Sequence, residues 1–148
     1  MRVQRWVPLC VLMTAMAAAQ SPAPVQLTEL ERLKAKAEQM SEHDRGKIYS
    51  EIARQLTDDA GRQFGEGQFA EGHATVKEVV EFSEKAAAAA KLRNKKTKDT
   101  EINLRKTARR LEEIEKTLAV EERPTVKAAV EKLDQIRKEL LEYFLKRG

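Results

Sequence analysis

The sequence predicts an all-α protein, with four long helices and a shorter helix in front of them. Glycine and proline are scarce, with 6 and 4 among 148 residues, so few positions interrupt a helix. Charged residues make up 35% of the chain and aromatic residues 5%, a mix typical of long helices with narrow apolar seams. No run of alternating apolar and polar residues indicates a β-strand.

A capping box indicates where the first helix begins. Thr28 can accept a hydrogen bond from the amide three residues on, and Glu31 can reach back. An apolar stripe at three- and four-residue steps follows, formed by Leu27, Leu30, Leu33, Ala37 and Met40. Ser41 with the acids after it resembles a second helix start. The apolar register would also survive one continuous helix, so a break near Ser41 stays open.

Four long segments with helical periodicity follow. We expect helices near residues 42–64, 69–93, 100–119 and 123–147. The Gly65–Gly67 segment ends the first of these because its glycines permit the positive φ of a helix end. Pro124 is tolerated near the start of the last helix. Short joins make neighbouring helices antiparallel, which predicts an antiparallel helical bundle or stacked helical hairpins.

Leucines at seven-residue spacing mark the last two helices. One seam contains Leu104, Leu111 and Leu118, and the other contains Val126, Leu133 and Leu140. Such seams predict that the two helices pack as an antiparallel pair. The second seam also predicts a homodimer through the C-terminal helix.

Small residues mark two further positions. The run Ala86–Ala90 favours a helix and lets a neighbouring helix approach closely. Gly46 is expected to weaken its helix by roughly 1 kcal/mol relative to alanine.

The first 19 residues have the layout of a cleavable signal peptide. Arg2 and Arg5 give a positive start, and the uncharged stretch Trp6–Ala19 is too short for the roughly 20 residues of a spanning helix. The small residues that end this stretch place cleavage near Ala19, with a periplasmic or secreted product. The expected organisation is a signal peptide at 1–19, a flexible spacer at 20–26 and a single all-helical domain at 27–148.

Removal of this leader would change the composition. Cys10 is the only cysteine, so the remaining chain would have no thiol for a disulfide, a metal or a nucleophile. The formal charge would fall from +4 to +2, because Arg2 and Arg5 leave and no acidic residue does. This balance does not indicate nucleic acid or strong membrane attraction, and no second stretch approaches transmembrane length.

Residues that could carry chemistry are few. Only His43 and His73 could act as bases near neutral pH, and we interpret both as exposed or capping histidines. The Glu-x-x-His pairs of di-iron bundles and the Cys-x-x-Cys-His of attached haem are absent. Met40 could ligate haem with a histidine, but it ends an apolar stripe and is expected to pack in the core. We therefore predict no catalytic, cofactor-binding or metal-binding residue, and no enzyme.

The segment Lys91–Lys98 is the densest basic cluster. One interpretation is a phosphate- or polyanion-binding patch. The favoured interpretation is a helix C-terminus, where cations complement the macrodipole. No interleaved aromatic residue or glycine-rich element accompanies the cluster.

A glycine closes one predicted helix and an aromatic residue opens the next, with apolar or small positions before them: Leu56, Ala60, Gly67 and Phe69. In this spacing, residues 56–79 resemble a tetratricopeptide helical hairpin. The segment departs from that pattern at Asp59, Gln63 and Gly72, and no second copy follows at the 34-residue period. The resemblance implies protein or peptide binding, and an alternative fold of a degenerate tetratricopeptide-like hairpin followed by a coiled-coil hairpin.

Taken together, these features predict an exported, non-enzymatic helical protein that acts through protein–protein contact. A scaffold, an adaptor and a chaperone-like protein all fit this prediction. The alternative is a haem- or small-ligand-binding helical bundle. We expect a protein partner, with no nucleic acid and no integral membrane span.

Overall fold

The computed structural model describes residues 28–93 and 98–147. Within these ranges the chain is helical throughout and has no strand, which confirms the all-α prediction. The five helices are α1 (Glu29–Gln39), α2 (Arg45–Gly65), α3 (Phe69–Leu92), α4 (Lys98–Thr117) and α5 (Arg123–Lys146). The predicted bounds of the four long helices were within three residues of these. The predicted signal peptide and spacer, residues 1–19 and 20–26, lie outside the described residues.

A real break separates α1 from α2. Met40 and Ser41 adopt extended backbone, and a single 3-10 turn at Glu42–Asp44 leads into α2. The guanidinium of Arg45 donates to the carbonyls of Met40 at 2.8 Å and Glu38 at 3.2 Å. These carbonyls end α1 and have no partner within the helix, so Arg45 stabilises the break.

The predicted capping box at the start of α1 is confirmed. The Thr28 amide donates to Glu31 Oε2 at 2.7 Å, and the Glu31 amide donates to Thr28 Oγ1 at 3.3 Å. The hydrogen bond from the Thr28 amide, followed by that from the Thr28 hydroxyl, lowers the pKa of the Glu31 carboxyl. The box therefore works with an ionised glutamate.

The turn between α2 and α3 is a Schellman motif. Gly67 has φ +77°, the left-handed conformation that favours glycine. The Gly67 amide donates to the Phe64 carbonyl at 3.1 Å, and the Gln68 amide donates to the Gln63 carbonyl at 2.8 Å. The glycine signal in the sequence therefore predicted the turn correctly.

The four long helices form two stacked hairpins, α2–α3 and α4–α5. Side-chain contacts show that α2 and α4 run side by side in the same direction, since later residues of α2 meet later residues of α4. The contacts are Lys47–Asp99 at 3.3 Å, Ser50–Asn103 at 3.1 Å and Asp58–Arg110 at 3.6 Å. The four helices thus form a bundle of two stacked antiparallel hairpins, as predicted.

The second helices of the hairpins, α3 and α5, also lie side by side in parallel. Glu84 pairs with Lys132 at 3.2 Å, and further along the Tyr143 hydroxyl donates to the Lys91 carbonyl at 3.1 Å. Helix α1 packs on the α2–α3 hairpin. We call the end with the Glu66–Gln68 turn and the 118–122 join the turn end. The opposite end, with Ala86–Leu92 and Leu140–Lys146, is the alanine end.

The core has two parts. The larger cluster fills the turn end and the middle of the bundle with residues from all five helices, among them Ile52, Phe64, Val79, Leu111 and Leu133. The smaller cluster fills the alanine end and consists of Ala86, Ala87, Ala90, Leu104, Ile136 and Leu140. The alanine end therefore has a thinner core made of smaller side chains.

The seam that suggested a homodimer lies inside this core. Val126, Leu133 and Leu140 are fully buried within the chain's own hairpins. They cannot contact a second copy while the protein is folded, so the stated basis for the dimer is wrong. A homodimer through α5 would need exposed residues of that helix and stays a prediction.

The alanine run brings α3 close to α2, as predicted. A Cβ placed on Gly46 would lie 3.2 Å from the Ala86 carbonyl oxygen and 3.2 Å from the Ala90 amide nitrogen. Only glycine fits comfortably at such a separation of two helix backbones. The unfavourable helix propensity of Gly46 is therefore offset by the close packing that it permits.

Candidate functional site

A concave, mainly apolar surface lies between α3 and α5. It is an open trough of about 600 Å³. Its floor is apolar, formed by the buried Val76 and Ala129 together with the more accessible Val80 and Ala128. We call this surface the α3–α5 groove.

The groove exists because α5 presents small side chains where it faces α3. Thr125, Ala128 and Ala129 occupy consecutive turns, and none of them reaches far enough to fill the space beside Val80. A trough between rigid helices keeps its shape, so a ligand would bind without reordering the backbone.

Two pairs of polar side chains cross from α3 to α5 and limit the groove at its ends. His73 Nε2 lies 2.5 Å from Glu122 Oε2 on the turn-end side. Glu84 Oε1 lies 3.2 Å from Lys132 Nζ on the alanine-end side. On α5 the groove runs from Thr125 to Lys132, about two helical turns or roughly 10 Å along the helix axis.

The rim of the groove carries both signs of charge. Lys77 and Glu81 stand one turn apart on α3, and both are exposed. Lys132 lines the opposite wall and is shared with Glu84. An apolar floor with a mixed charged rim is the composition of a surface for an amphipathic segment rather than for a small polar substrate.

His73 differs from its predicted state. It is partly buried, its ring stands edge-on to Phe64 with centroids 5.1 Å apart, and it is paired with Glu122. Its Nδ1 is buried and has no hydrogen-bond partner within the described part of the chain. The interpretation of His73 as exposed or capping was therefore wrong. Sequence inspection could not find this pair, because its members lie 49 residues apart.

His43 fits its prediction and is exposed in the 3-10 turn. It lies at the alanine end and His73 lies at the turn end, so the length of α2 separates them. A 21-residue helix spans about 31 Å. The two histidines therefore do not converge on one site.

The remaining residues singled out in the sequence, Met40 and the basic cluster, contact other residues of the bundle. Met40 is partly buried and packs against the larger core cluster, as expected. In the basic cluster, Arg93 lies 3.7 Å from Asp44, and the ammonium of Lys91 lies 6.0 Å from the centre of the Tyr143 ring. Residues 94–97 of that cluster lie outside the described residues. Its described part is the end of a helix.

Within residues 28–93 and 98–147, no group of three or more His, Cys, Asp or Glu side chains lies close enough together to hold a metal ion. Across the same residues, no helix is both long enough and apolar enough to cross a bilayer.

No protein-family model, curated protein or solved structure matches this chain.

Proposed function

We propose that the protein is exported and acts, without catalysis, through protein–protein contact, as a scaffold, adaptor or chaperone-like protein. The observation that supports this most is the α3–α5 groove. Its occupant is an amphipathic helix of a partner protein. The signal-peptide layout of residues 1–19 supports the export part of the proposal.

The dimensions of the groove suit a short helical contact. Its floor runs from Thr125 to Lys132 on α5, about two turns. A bound helix presents apolar side chains on one face at spacings of three, four and seven residues. Seven residues make about two turns, which matches the length of the groove. Because the floor is built of valine and alanine, it accepts leucine- or methionine-sized side chains from above.

The charged rim would fix the direction in which the partner lies. Lys77 and Glu81 attract opposite charges one turn apart, so a helix with an acid followed by a base at that spacing fits in one orientation. Exposed ion pairs contribute little affinity, roughly 0–1 kcal/mol each. The apolar floor would supply the affinity, and the rim would supply the specificity.

The proposal is tested by filling the groove. Ala128 is exposed on the floor, so an Ala128→Trp substitution adds an indole to the groove without disturbing the core. The matched control is Ala35→Trp, which adds the same side chain to an exposed position in the middle of α1. A photo-crosslinking residue at each position identifies what contacts it in the native envelope.

We expect one protein to crosslink from position 128 and not from position 35. The purified partner should bind the wild-type chain and the Ala35→Trp variant equally, and bind Ala128→Trp about tenfold or more weakly. Crosslinking that is identical from both positions would contradict the proposal. Partner binding that survives Ala128→Trp unchanged would do the same.

A further inference from the structure

Three leucines at the alanine end are exposed, although few large apolar side chains are exposed within residues 28–93 and 98–147. Leu92 is 62% exposed, Leu141 44% and Leu145 80%. They share one end of the bundle because the end of α5 packs beside the end of α3, where the Tyr143 hydroxyl donates to the Lys91 carbonyl. An exposed leucine on its own needs no explanation, but several at one end of a small domain indicate a contact surface.

Helix geometry explains why α5 leaves two of them outside. Leu140 points into the core, and Leu141 is turned by about 100° from it. Leu145 follows Leu141 at the four-residue step that keeps both on one face of the helix. The two leucines therefore form a short apolar stripe that the hairpins of this chain do not cover.

Cationic side chains are concentrated at the same end of the bundle. The ends of α3 and α5 and the start of α4 carry the cations Lys91, Arg93, Lys98, Lys146 and Arg147, and the acids Asp99, Glu101 and Glu142. The start of α2 and the 3-10 turn before it add the cations Arg45 and Lys47 and the acids Glu42 and Asp44. Positive side chains also suit these helix C-termini, since the macrodipole is negative there.

The turn end has the opposite character. The last turns of α2 and α4, the first turn of α3 and the join before α5 carry the acids Glu66, Glu71, Glu112, Glu113, Glu115, Glu121 and Glu122. The cations in the same region are Arg62, Arg109, Arg110, Lys116 and Arg123, so acids outnumber cations there. The chain as a whole is close to balanced, but its two ends differ in sign.

We propose that the alanine end is a docking surface for an anionic lipid bilayer. Exposed leucines enter the boundary between headgroups and acyl chains, and lysines lying next to them keep their ammonium groups at the level of the phosphates. Each lysine or arginine near an anionic surface strengthens binding. This mode of contact is peripheral and does not require a helix that crosses the bilayer.

Charge argues against the other occupants of this surface. A second copy docked on the same surface would bring two sets of cations together, which disfavours the contact. A nucleic acid would match the charge, but it gives three exposed leucines no apolar surface to bury. An anionic bilayer satisfies both the leucines and the cations.

The test places an environment-sensitive fluorophore at one end or the other of the full chain. In a Cys10→Ser background, a single cysteine is introduced by Leu145→Cys or, as the matched control, by Val120→Cys. Val120 is 72% exposed at the turn end, so both positions hold exposed apolar residues and differ in the sign of their surroundings. Each labelled protein is mixed with vesicles of phosphatidylcholine alone or with 30% phosphatidylglycerol. Each probe responds only to its own surroundings. A response at position 145 alone therefore reports docking of the alanine end, whatever membrane affinity residues 6–19 have.

We expect the emission of the probe at position 145 to shift to the blue on anionic vesicles, and the probe at position 120 to stay unchanged. Raising the salt concentration should reverse the shift, because exposed charges are screened within about 8–10 Å. Replacing Lys98 and Lys146 by glutamine should weaken the binding about fivefold for each cation removed.

Three results would overturn the proposal. The first is a probe at position 145 that does not respond to anionic vesicles, and the second is an equal response at both positions. The third is a blue shift at position 145 that rises with protein concentration in the absence of vesicles. That result would assign the surface to a second copy of the chain. Circular dichroism of each variant checks that the helices are retained.

Discussion

The two ends of the bundle are built from the same four helices, yet they differ in core, turn and charge. At the turn end, large side chains such as Phe64, Leu111 and Ile114 fill the space between the helices. At the alanine end, Ala86 and Ala90 let α3 lie against Gly46 of α2, and the core is thin.

This difference indicates that one end contributes more to stability and the other presents more exposed apolar side chains for contact. Buried apolar area stabilises at about 25 cal/mol per Å², so the larger side chains of the turn end supply most of the stability. The alanine end contributes less to the core and leaves Leu141 and Leu145 outside it. The α3–α5 groove lies between these ends, beside Ala128 and Ala129 of α5. The His73–Glu122 and Glu84–Lys132 pairs connect the two helices on either side of it.

The largest expected effect comes from removing a large side chain of the turn-end core. Leu111 is fully buried, so Leu111→Ala removes apolar contacts and leaves a cavity. We expect the free energy of unfolding to fall by about 3–5 kcal/mol in urea denaturation followed by circular dichroism. The control is Leu92→Ala at the exposed alanine-end position, with an effect below about 0.5 kcal/mol. Similar losses for the two variants would contradict the contrast between the ends.

A second prediction concerns the packing of Phe64 at the turn end. A Cβ added to Gly72 would lie 2.7–2.9 Å from three atoms of the Phe64 ring, which is closer than carbon atoms approach. Gly72→Ala should therefore force the ring to move and lower the free energy of unfolding by about 1–3 kcal/mol. Gly65→Ala is the matched control, because a Cβ there meets nothing within 4 Å. If both variants gain stability, the ring is not packed as described.

A smaller effect is expected from the close helix approach at the alanine end. Gly46→Ala adds a methyl group against two backbone atoms of α3, and backbone cannot rotate away. We expect a net loss of about 1 kcal/mol, despite the better helix propensity of alanine. In contrast, the added methyl group of Gly61→Ala meets the side chain of Ile114, which can adjust, so a gain of up to about 1 kcal/mol is expected. Thermal unfolding of both variants distinguishes these signs.

The smallest effect concerns the capping box of α1, outside both ends. The pKa of Glu31 is lowered in the folded state by the Thr28 amide and hydroxyl. Because this pKa is lowered, the capping box contributes its full stabilisation of α1 above the ordinary pKa of a glutamate, near pH 4. The contribution is lost as the pH falls through the pKa that Glu31 has in the folded state. In the wild type, the hydrogen-exchange protection factors of the first α1 amides, corrected for the intrinsic pH dependence of exchange, should fall as the pH drops through that acidic range. In Glu31→Gln the same amides should exchange with no such pH step.

The sequence predicted the local features of the fold well. Capping at Thr28 and Glu31, and the turn at Gly67, follow from neighbouring residues, and each was predicted from the sequence. The prediction failed where distant residues meet. The His73–Glu122 pair depends on which helices become neighbours. The predicted antiparallel packing of α4 and α5 is present, but it buries the Val126 seam and so removes the basis given for a homodimer.

The groove shows why this limit exists. Seven-residue seams predict that two helices pack together, but they do not predict that α2 lies beside α4 and α3 beside α5. Thr125, Ala128 and Ala129 appear in the sequence only as small residues of a helix. They become a site because α3 stands opposite them, and that arrangement is a property of the whole bundle.

Native-state hydrogen exchange tests the contrast between the ends most directly. We expect the amides of Val76–Val79 and Leu111–Ile114, at the turn end, to exchange only through global unfolding. The amides of Ala86–Ala90 should exchange faster, through local openings of the thinner core. Equal protection at both ends, or slower exchange at the alanine end, would contradict the division of stability and contact proposed for this protein.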